Sequence, residues 1–207
     1  MTFIRRTFHC SENKFFAVLF SALALGITAA WMVYLIIVSG SSFFTIGNIW
    51  HFFVVFLIYG CLFVYNIRND NRAYTAIFML LFACIVGSSI DLIMGTVALF
   101  QAGLSISSLL SLPIFGFEAL IVVMGIFAFL QLNRYRIRRS SDYKKVRLFL
   151  ILFAASVALP SIATSFVYLG RGIFEPNWLL LTTGLAAEAA DLCAAVASVF
   201  TFNRLIR

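Results

Sequence analysis

The chain has 207 residues, of which 63% are hydrophobic and 11% charged, whereas a soluble domain is typically about 45–50% apolar and about 25% charged. This composition excludes an ordinary soluble protein, and the long apolar segments leave no room for a separate catalytic domain of about 100–150 residues. The formal net charge is +7. We expect an all-α fold, a polytopic membrane helical bundle that forms one integral membrane domain over residues 1–207.

Six apolar stretches are long enough to cross a bilayer, whose hydrocarbon core needs about 20 helical residues. The first is too long for a cleaved secretory signal, whose apolar region has about 7–15 residues, so we interpret it as a retained signal anchor. Only the turn-forming residues 39–48 separate the first two stretches. The six predicted spans lie near residues 15–38, 47–66, 74–100, 109–132, 148–169 and 178–202.

The distribution of basic residues predicts the orientation of the chain. An amino terminus in the cytoplasm places fourteen of the fifteen Lys and Arg residues on the cytoplasmic side and leaves only Arg171 outside. Cytoplasmic loops of membrane proteins carry such an excess of Lys and Arg. We therefore predict six spans with both termini cytoplasmic, because five or seven spans would separate the basic loop from the basic carboxyl terminus. The type of membrane does not follow from the hydropathy.

The loop at residues 133–147 is the most basic segment. It is predicted to attract anionic lipid headgroups, at about 1 kcal/mol for each base near the surface. The alternative is an ordinary topology determinant. Since the positive charge lies in membrane-flanking segments, it does not indicate a nucleic-acid partner. The bases of this loop are Arg134, Arg136, Arg138, Arg139, Lys144, Lys145 and Arg147.

Four acidic residues lie inside the predicted spans, namely Asp91, Glu118, Glu188 and Asp191. A charge at the centre of a membrane helix costs at least about 2.5–3.5 kcal/mol. No Lys or Arg lies within any predicted span to neutralise these acids. They are therefore expected to be protonated, to face water, or to hold a proton or cation.

Helix rise along the spans predicts that the four acids share one layer between the outer face and the midplane. His51 would stand above this layer near the outer interface, as a proton acceptor on the entry side. The inner halves of most spans are nearly pure apolar sequence. Together these positions predict a polar pocket that opens outward above an apolar plug.

Small residues flank both aspartates at helical spacing. Gly87 and Gly95 are four residues from Asp91, and Ala187 and Ala195 are four residues from Asp191. Faces of small residues allow close helix packing in lipid, which would direct both aspartates towards protein. Small residues are also frequent in membrane helices, so chance spacing is the alternative.

Proline and asparagine mark two further features of the spans. Pro160 lies inside the fifth span, where it frees the carbonyl of Ser156 and is predicted to kink the helix or act as a hinge. The second, fourth and sixth spans end in an Asn followed closely by an Arg, at Asn66, Asn133 and Asn203. This pattern is typical of a capping Asn with a base at the negative end of its own helix.

The sequence contains no Walker loop, no metalloprotease or hydrolase motif and no paired cysteines, so an enzyme is disfavoured and no cofactor is expected. An aspartyl dyad of Asp91 and Asp191 is a minor alternative.

Two functions are left open. One is a small permease or channel-like protein whose acids bind a proton or cation, assembled as a homo-oligomer because one bundle barely encloses a pathway. The other is a membrane organiser or accessory subunit whose acids join helices or a partner membrane subunit. The identity of a bound metal is undetermined.

Overall fold

A computed structural model describes residues 12–68, 70–102, 106–138, 142–174 and 178–205. Within these ranges the side chains of residues 41, 43, 46–47, 98–99, 101–102, 106–114, 138, 161–174 and 178–184 are outside the description. All regular structure in the described residues is helical. The long helices are α1 (Glu12–Ser39), α2 (Ile46–Arg68), α3 (Ala73–Ala102), α4 (Ile106–Arg138), α5 (Tyr143–Phe174) and α6 (Trp178–Leu205).

The all-helical fold was predicted, and each of the six predicted spans falls on one of these helices. Five helices, α1 to α4 and α6, are long and apolar enough to cross a membrane. The described side chains of α5 end at Pro160, so a crossing by the predicted span near 148–169 stays a prediction. The chain is thus an integral membrane protein by the length and composition of its helices.

The first two spans are separate helices. α1 ends at Ser39, a 3₁₀ turn covers Gly40–Phe43, and α2 begins at Ile46. Gly40 has a φ of 55°, in the left-handed region that glycine enters without the steric cost of a Cβ. This residue ends α1 in the manner of a C-terminal glycine cap.

The chain divides into two compact units. Unit 1 consists of Met1–Leu80 and Ala189–Arg207, and unit 2 of Leu81–Glu188. The boundaries fall within α3 and within α6. Unit 1 therefore contains α1, α2, the beginning of α3 and the second half of α6, and unit 2 contains the rest of α3, α4, α5 and the first half of α6.

In unit 1, α1 runs antiparallel to both α2 and α6. Trp31, late in α1, packs on Phe52, early in α2, with ring centroids 4.9 Å apart. Phe16 and Phe20, early in α1, pack on Phe200, late in α6. The beginning of α1 and the ends of α2 and α6 consequently lie at the same end of unit 1.

Small residues form the interior of unit 1. Ala17, Ser21, Ala24 and Thr28 recur at intervals of three and four along α1, and all four are completely buried. The hydroxyls of Ser21 and Thr28 donate to carbonyls four residues earlier in the same helix. Because these hydroxyls are satisfied within α1, the face packs like a stripe of small apolar residues.

In unit 2, α4 packs against α5. The rings of Phe127 and Phe149 stack with centroids 5.6 Å apart, and Leu132 and Val146 are buried near the turn between the helices. Gly125 is buried at a close approach, since a Cβ there would lie 2.8 Å from the Ile85 side chain of α3. Glycine thus permits the tight contact between α3 and α4.

Candidate functional site

A tyrosine and a carboxyl group join α2 to α6 in unit 1. The hydroxyl of Tyr59, a residue that is 2% exposed, donates a hydrogen bond to Oδ1 of Asp191. Both residues lie near the middle of their helices, and both helices are apolar enough to cross a membrane. A buried phenol needs a hydrogen-bond acceptor, and Asp191 provides it.

The sequence identified Asp191 but not Tyr59. Tyrosines of the aromatic belt lie at the ends of spans, whereas Tyr59 lies in the interior of one. Its position in mid-span could have indicated the pair, because a hydroxyl there needs a hydrogen-bond partner and Asp191 is predicted at a matching depth. Ala195, one turn after Asp191, is completely buried, which agrees with the expectation that Asp191 faces protein.

Glu188 lies one helical turn before Asp191 on α6 and belongs to unit 2. Its side chain is half-buried, and Oε2 is almost completely shielded from solvent. A carboxyl oxygen in this environment carries a full negative charge only at a large desolvation cost. The position suits a group that is neutral or that holds a cation.

The other two predicted acids also belong to unit 2. Glu118 on α4 is half-buried, whereas Asp91 on α3 is exposed. Close packing around Asp91 within the chain occurs on one side only: a Cβ at Gly95 would overlap the Phe115 ring, but a Cβ at Gly87 would meet nothing within 4 Å. On the Gly87 side, the expectation that small residues direct Asp91 towards protein stays a prediction. Convergence of all four acids on one chamber stays a prediction.

His51 lies in the second turn of α2 and is exposed. Its ring stands edge-on to Trp31, with centroids 5.9 Å apart, and edge-on to Phe52 at 5.5 Å. The indole Nε1 of Trp31 is buried without a hydrogen-bond acceptor among the described residues. The role of His51 as a proton acceptor on the entry side stays a prediction.

Pro160 is buried inside α5, and the helix continues through it from Tyr143 to Phe174. The carbonyl freed by this proline belongs to Ser156. The hydroxyl of Ser156 donates to the carbonyl of Phe153 at 2.7 Å, so it satisfies a different part of the backbone. The proline thus lies within an unbroken helix, and the hinge stays a prediction.

A second connection between α2 and α6 lies towards their carboxyl ends. Asn66 is completely buried and accepts a hydrogen bond from the Thr201 hydroxyl at 3.0 Å. The Asn66 amide also contacts the carbonyl of Ala17 at 3.5 Å. Asn66 therefore links three helices. Since Tyr59 pairs with Asp191 and Asn66 with Thr201, α2 and α6 run parallel in unit 1.

The guanidinium of Arg204 closes this end of unit 1. It donates to the carbonyls of Asn66 at 3.2 Å and of Tyr65 and Asp70 at 3.4 Å. The carbonyls of Tyr65 and Asn66 lie in the last turn of α2, where the helix dipole is negative. The carbonyl of Asp70 lies in the turn that follows, and those of Tyr65 and Asp70 also accept backbone amides. Arg204 is a clamp from one helix onto the end of another.

These contacts correct two expectations. Asn66 does not cap its own helix, since its side chain bonds to Thr201, and Asn133 lies inside α4, which continues to Arg138. The predicted apolar plug is also wrong for unit 1, because the end assigned to the cytoplasm contains buried polar side chains. One of these side chains lies on α1, one on α2 and three on α6, and the apolar composition of the individual spans concealed their convergence. They are Ser21, Asn66, Ser198, Thr201 and Arg204.

The predicted lipid-binding bases surround the turn between α4 and α5. Arg134, Arg136, Lys144, Lys145 and Arg147 are exposed. The backbone of Arg138 is helical, but its side chain lies outside the described residues, as does all of Arg139. Asp142 directly precedes α5 and forms an ion pair with Lys145 at 3.3 Å.

In the part of the chain that the structure describes, no group of three or more His, Cys, Asp or Glu side chains is arranged to hold a metal ion. The arrangement can instead present a single carboxyl group, Asp191, oriented by a neighbouring hydroxyl. No protein-family model, curated protein or solved structure matches this chain.

Proposed function

We propose that the protein is a small membrane permease in which Asp191 binds a proton or a small cation and Tyr59 orients the carboxyl group. The hydrogen bond from the Tyr59 hydroxyl to Asp191, near the middle of two apolar helices, carries this proposal. Intramembrane carboxyl groups of this kind form proton relays and ion sites in transporters. Asp191 is the binding group, and Tyr59 is a positioning residue.

The charge environment supports a binding role for Asp191. α6 carries no Lys or Arg before Arg204. Arg204 donates to backbone carbonyls at the end of α2. A bound proton or cation would lower the desolvation cost of the Asp191 carboxyl group within this apolar helix.

The proposal includes the predicted topology, with both termini in the cytoplasm. Support comes from the packing of Phe16 on Phe200, which places the beginning of α1 and the end of α6 at one end of unit 1. A chain whose first helix begins on the same side of the bilayer as its last helix ends crosses the bilayer an even number of times. A homo-oligomer completes the proposal, because a single six-helix bundle has little internal volume for a pathway.

Flux measurements on the reconstituted full chain test the permease. Vesicles with trapped pyranine report proton entry under a potassium diffusion potential, and radioactive sodium reports cation entry. We expect Asp191→Asn to abolish the flux that the wild-type protein supports, whereas Glu12→Gln, which neutralises an exposed acid in the first turn of α1, leaves it unchanged. Glu188→Gln is measured in parallel.

The proton and sodium measurements separate the two ions. Loss of proton entry alone in Asp191→Asn identifies a proton site, and loss of sodium entry identifies a cation site. Unchanged flux in both Asp191→Asn and Glu188→Gln, or no flux above empty vesicles with the wild-type protein, would eliminate the permease.

A second candidate, a membrane organiser, is favoured by the position of Asp91. This residue is exposed on α3 between Ile90 and Met94, which are 54% and 64% exposed. A carboxyl group in contact with lipid is costly, and a partner helix with a Lys or Arg would remove that cost. The organiser predicts that such a subunit co-purifies with the wild-type protein and with Asp142→Asn but is lost from Asp91→Asn.

A further inference from the structure

The helical hairpin of α4 and α5 continues beyond the apolar part of the chain. The apolar stretch of α4 ends near Leu132, but the helix continues to Arg138. α5 begins at Tyr143, five residues before its apolar stretch. At a rise of about 1.5 Å per residue, the two helices extend about 7–9 Å past the apolar region. The exposed bases Arg134, Arg136, Lys144, Lys145 and Arg147 are called the basic hairpin end below.

The basic hairpin end has a fixed geometry. Leu132 and Val146 are buried directly beneath it, and Phe127 stacks on Phe149 about one turn deeper. The carbonyl oxygen of Asp142 accepts a hydrogen bond from the backbone amide of Lys145 at 3.0 Å, in the first turn of α5. The bases consequently project from two packed helices and lose little conformational freedom of the backbone on binding a partner.

The charge of this surface is strongly unbalanced. Among the described residues of the turn, Asp142 is the only acid, and it pairs with Lys145. The described part of the turn therefore carries five bases and one acid. Exposed apolar side chains accompany them: Ile137 is 73% exposed and Leu148 is 53% exposed.

The depth of the bases identifies the partner. All five lie within about 6 Å of the end of the apolar stretches by helix rise, and the headgroup layer on each side of the hydrocarbon core is about 5–8 Å thick. Phosphate groups of lipids occupy that layer, whereas a soluble acidic partner or a nucleic acid would bind further from the membrane. Exposed apolar residues beside the bases suit the boundary between headgroups and acyl chains.

We infer that the basic hairpin end binds the headgroups of anionic phospholipids of the membrane that the chain crosses. The bases of α4 and of α5 bind phosphate groups in the same headgroup layer, and Ile137 and Leu148 contact the adjoining acyl chains. This interaction is separate from the permease, since it uses neither Asp191 nor Tyr59. It distinguishes the hairpin from a segment whose only role is to set topology.

Electron spin resonance of spin-labelled lipids tests this inference on the full chain in phosphatidylcholine bilayers. The fractions of labelled phosphatidylglycerol and labelled phosphatidylcholine that are immobilised by the protein give a relative association constant. We expect the wild-type protein to prefer phosphatidylglycerol, and Arg136→Gln with Lys144→Gln to lower that preference at least fivefold, the factor equivalent to about 1 kcal/mol, the contribution of one base near the surface.

A matched control removes the same charge elsewhere. Arg68 and Arg72 are exposed bases at the turn between α2 and α3, where Arg72 is beside Asp70. The double change Arg68→Gln with Arg72→Gln is expected to lower the preference less than twofold. Equal losses in the two double variants, or no preference in the wild-type protein, would overturn the inference and leave the bases with a topological role only.

Ionic strength provides a second measurement on the same samples. The Debye length falls from about 30 Å at 0.01 M salt to about 3 Å at 1 M. The preference for phosphatidylglycerol should therefore weaken as salt is added, and it should weaken more steeply in the wild-type protein than in the hairpin variant. A preference that does not respond to salt would refute electrostatic binding. Circular dichroism verifies that all variants keep the same helix content.

Discussion

Substitution of Arg204 by Gln tests the clamp between α6 and the end of α2. Arg204 is 9% exposed, and its guanidinium donates to three backbone carbonyls, those of Tyr65, Asn66 and Asp70. A glutamine is shorter and uncharged, so it cannot span these acceptors. The substitution leaves carbonyls at the negative end of α2 without a charged donor.

The expected cost follows from the geometry. Hydrogen bonds to charged groups contribute about 1.5–3 kcal/mol, and a cation at a helix carboxyl end contributes about 0.3–1 kcal/mol when exposed. One of the three distances, 3.2 Å, is at the long end of the usual range of about 2.7–3.2 Å, and the other two, 3.4 Å, are beyond it. We therefore expect Arg204→Gln to lower the free energy of unfolding by about 1.5–2 kcal/mol, the lower part of the range for a charged bond.

Unfolding of the full chain in mixed detergent micelles, titrated with sodium dodecyl sulfate and followed by far-ultraviolet circular dichroism, measures this change. Arg72→Gln is the matched control, because its side chain is 76% exposed and lies 4.0 Å from Asp70. An exposed ion pair contributes about 0–1 kcal/mol, so the control should unfold close to the wild-type midpoint. Identical midpoints for the Arg204 and Arg72 variants would refute the clamp.

Two further predictions use the same unfolding assay. Asn66→Leu and Thr201→Val, combined in a double-mutant cycle, should show a coupling energy of about 0.6 kcal/mol and at most about 1.7 kcal/mol, as for other hydrogen bonds between membrane helices; strict additivity would show that the bond at 3.0 Å contributes nothing. Gly95→Ala should destabilise unit 2 by up to about 1–3 kcal/mol, since the new methyl group overlaps Phe115. Gly87→Ala on the same helix has open space and should be neutral or stabilising by up to about 1 kcal/mol, and equal effects of the two alanines would contradict this account.

The helices themselves follow closely from the sequence. Each predicted span falls on a helix, because a run of about 20 apolar residues in a membrane has no alternative that satisfies its backbone. The helix ends differ from the predicted ones by up to six residues, most at Arg138, where hydropathy ends but the helix continues. Apolar composition marks the boundary of the hydrocarbon core, whereas backbone hydrogen bonds decide where a helix stops.

The contacts between helices could not be predicted in the same way. Asp191 was found because an acid in an apolar run is rare, but Tyr59, Asn66 and Arg204 have ordinary explanations within their own helices. Tyrosine suggests an interfacial position, and Asn next to Arg suggests a carboxyl cap. Their partners are more than 130 residues away along the chain, and periodicity within one helix carries no information about which face of another helix it meets.

Substitutions in the two polar connections between α2 and α6 distinguish the permease hypothesis from the organiser hypothesis. The single hydroxyl proton of Thr201 is shared between Asn66 and the backbone carbonyl of Ala197, so removal of this side chain changes packing and hydrogen bonding but no charge. Asp191 differs, because asparagine at this position still accepts the hydrogen bond of Tyr59 but cannot take up a proton or balance a cation. Asp191→Asn should therefore keep the wild-type unfolding midpoint whether the protein is a permease or an organiser. A variant that keeps this midpoint and loses flux shows that the carboxyl group binds its ligand through charge, whereas one that keeps both shows that its contribution is a hydrogen bond between helices.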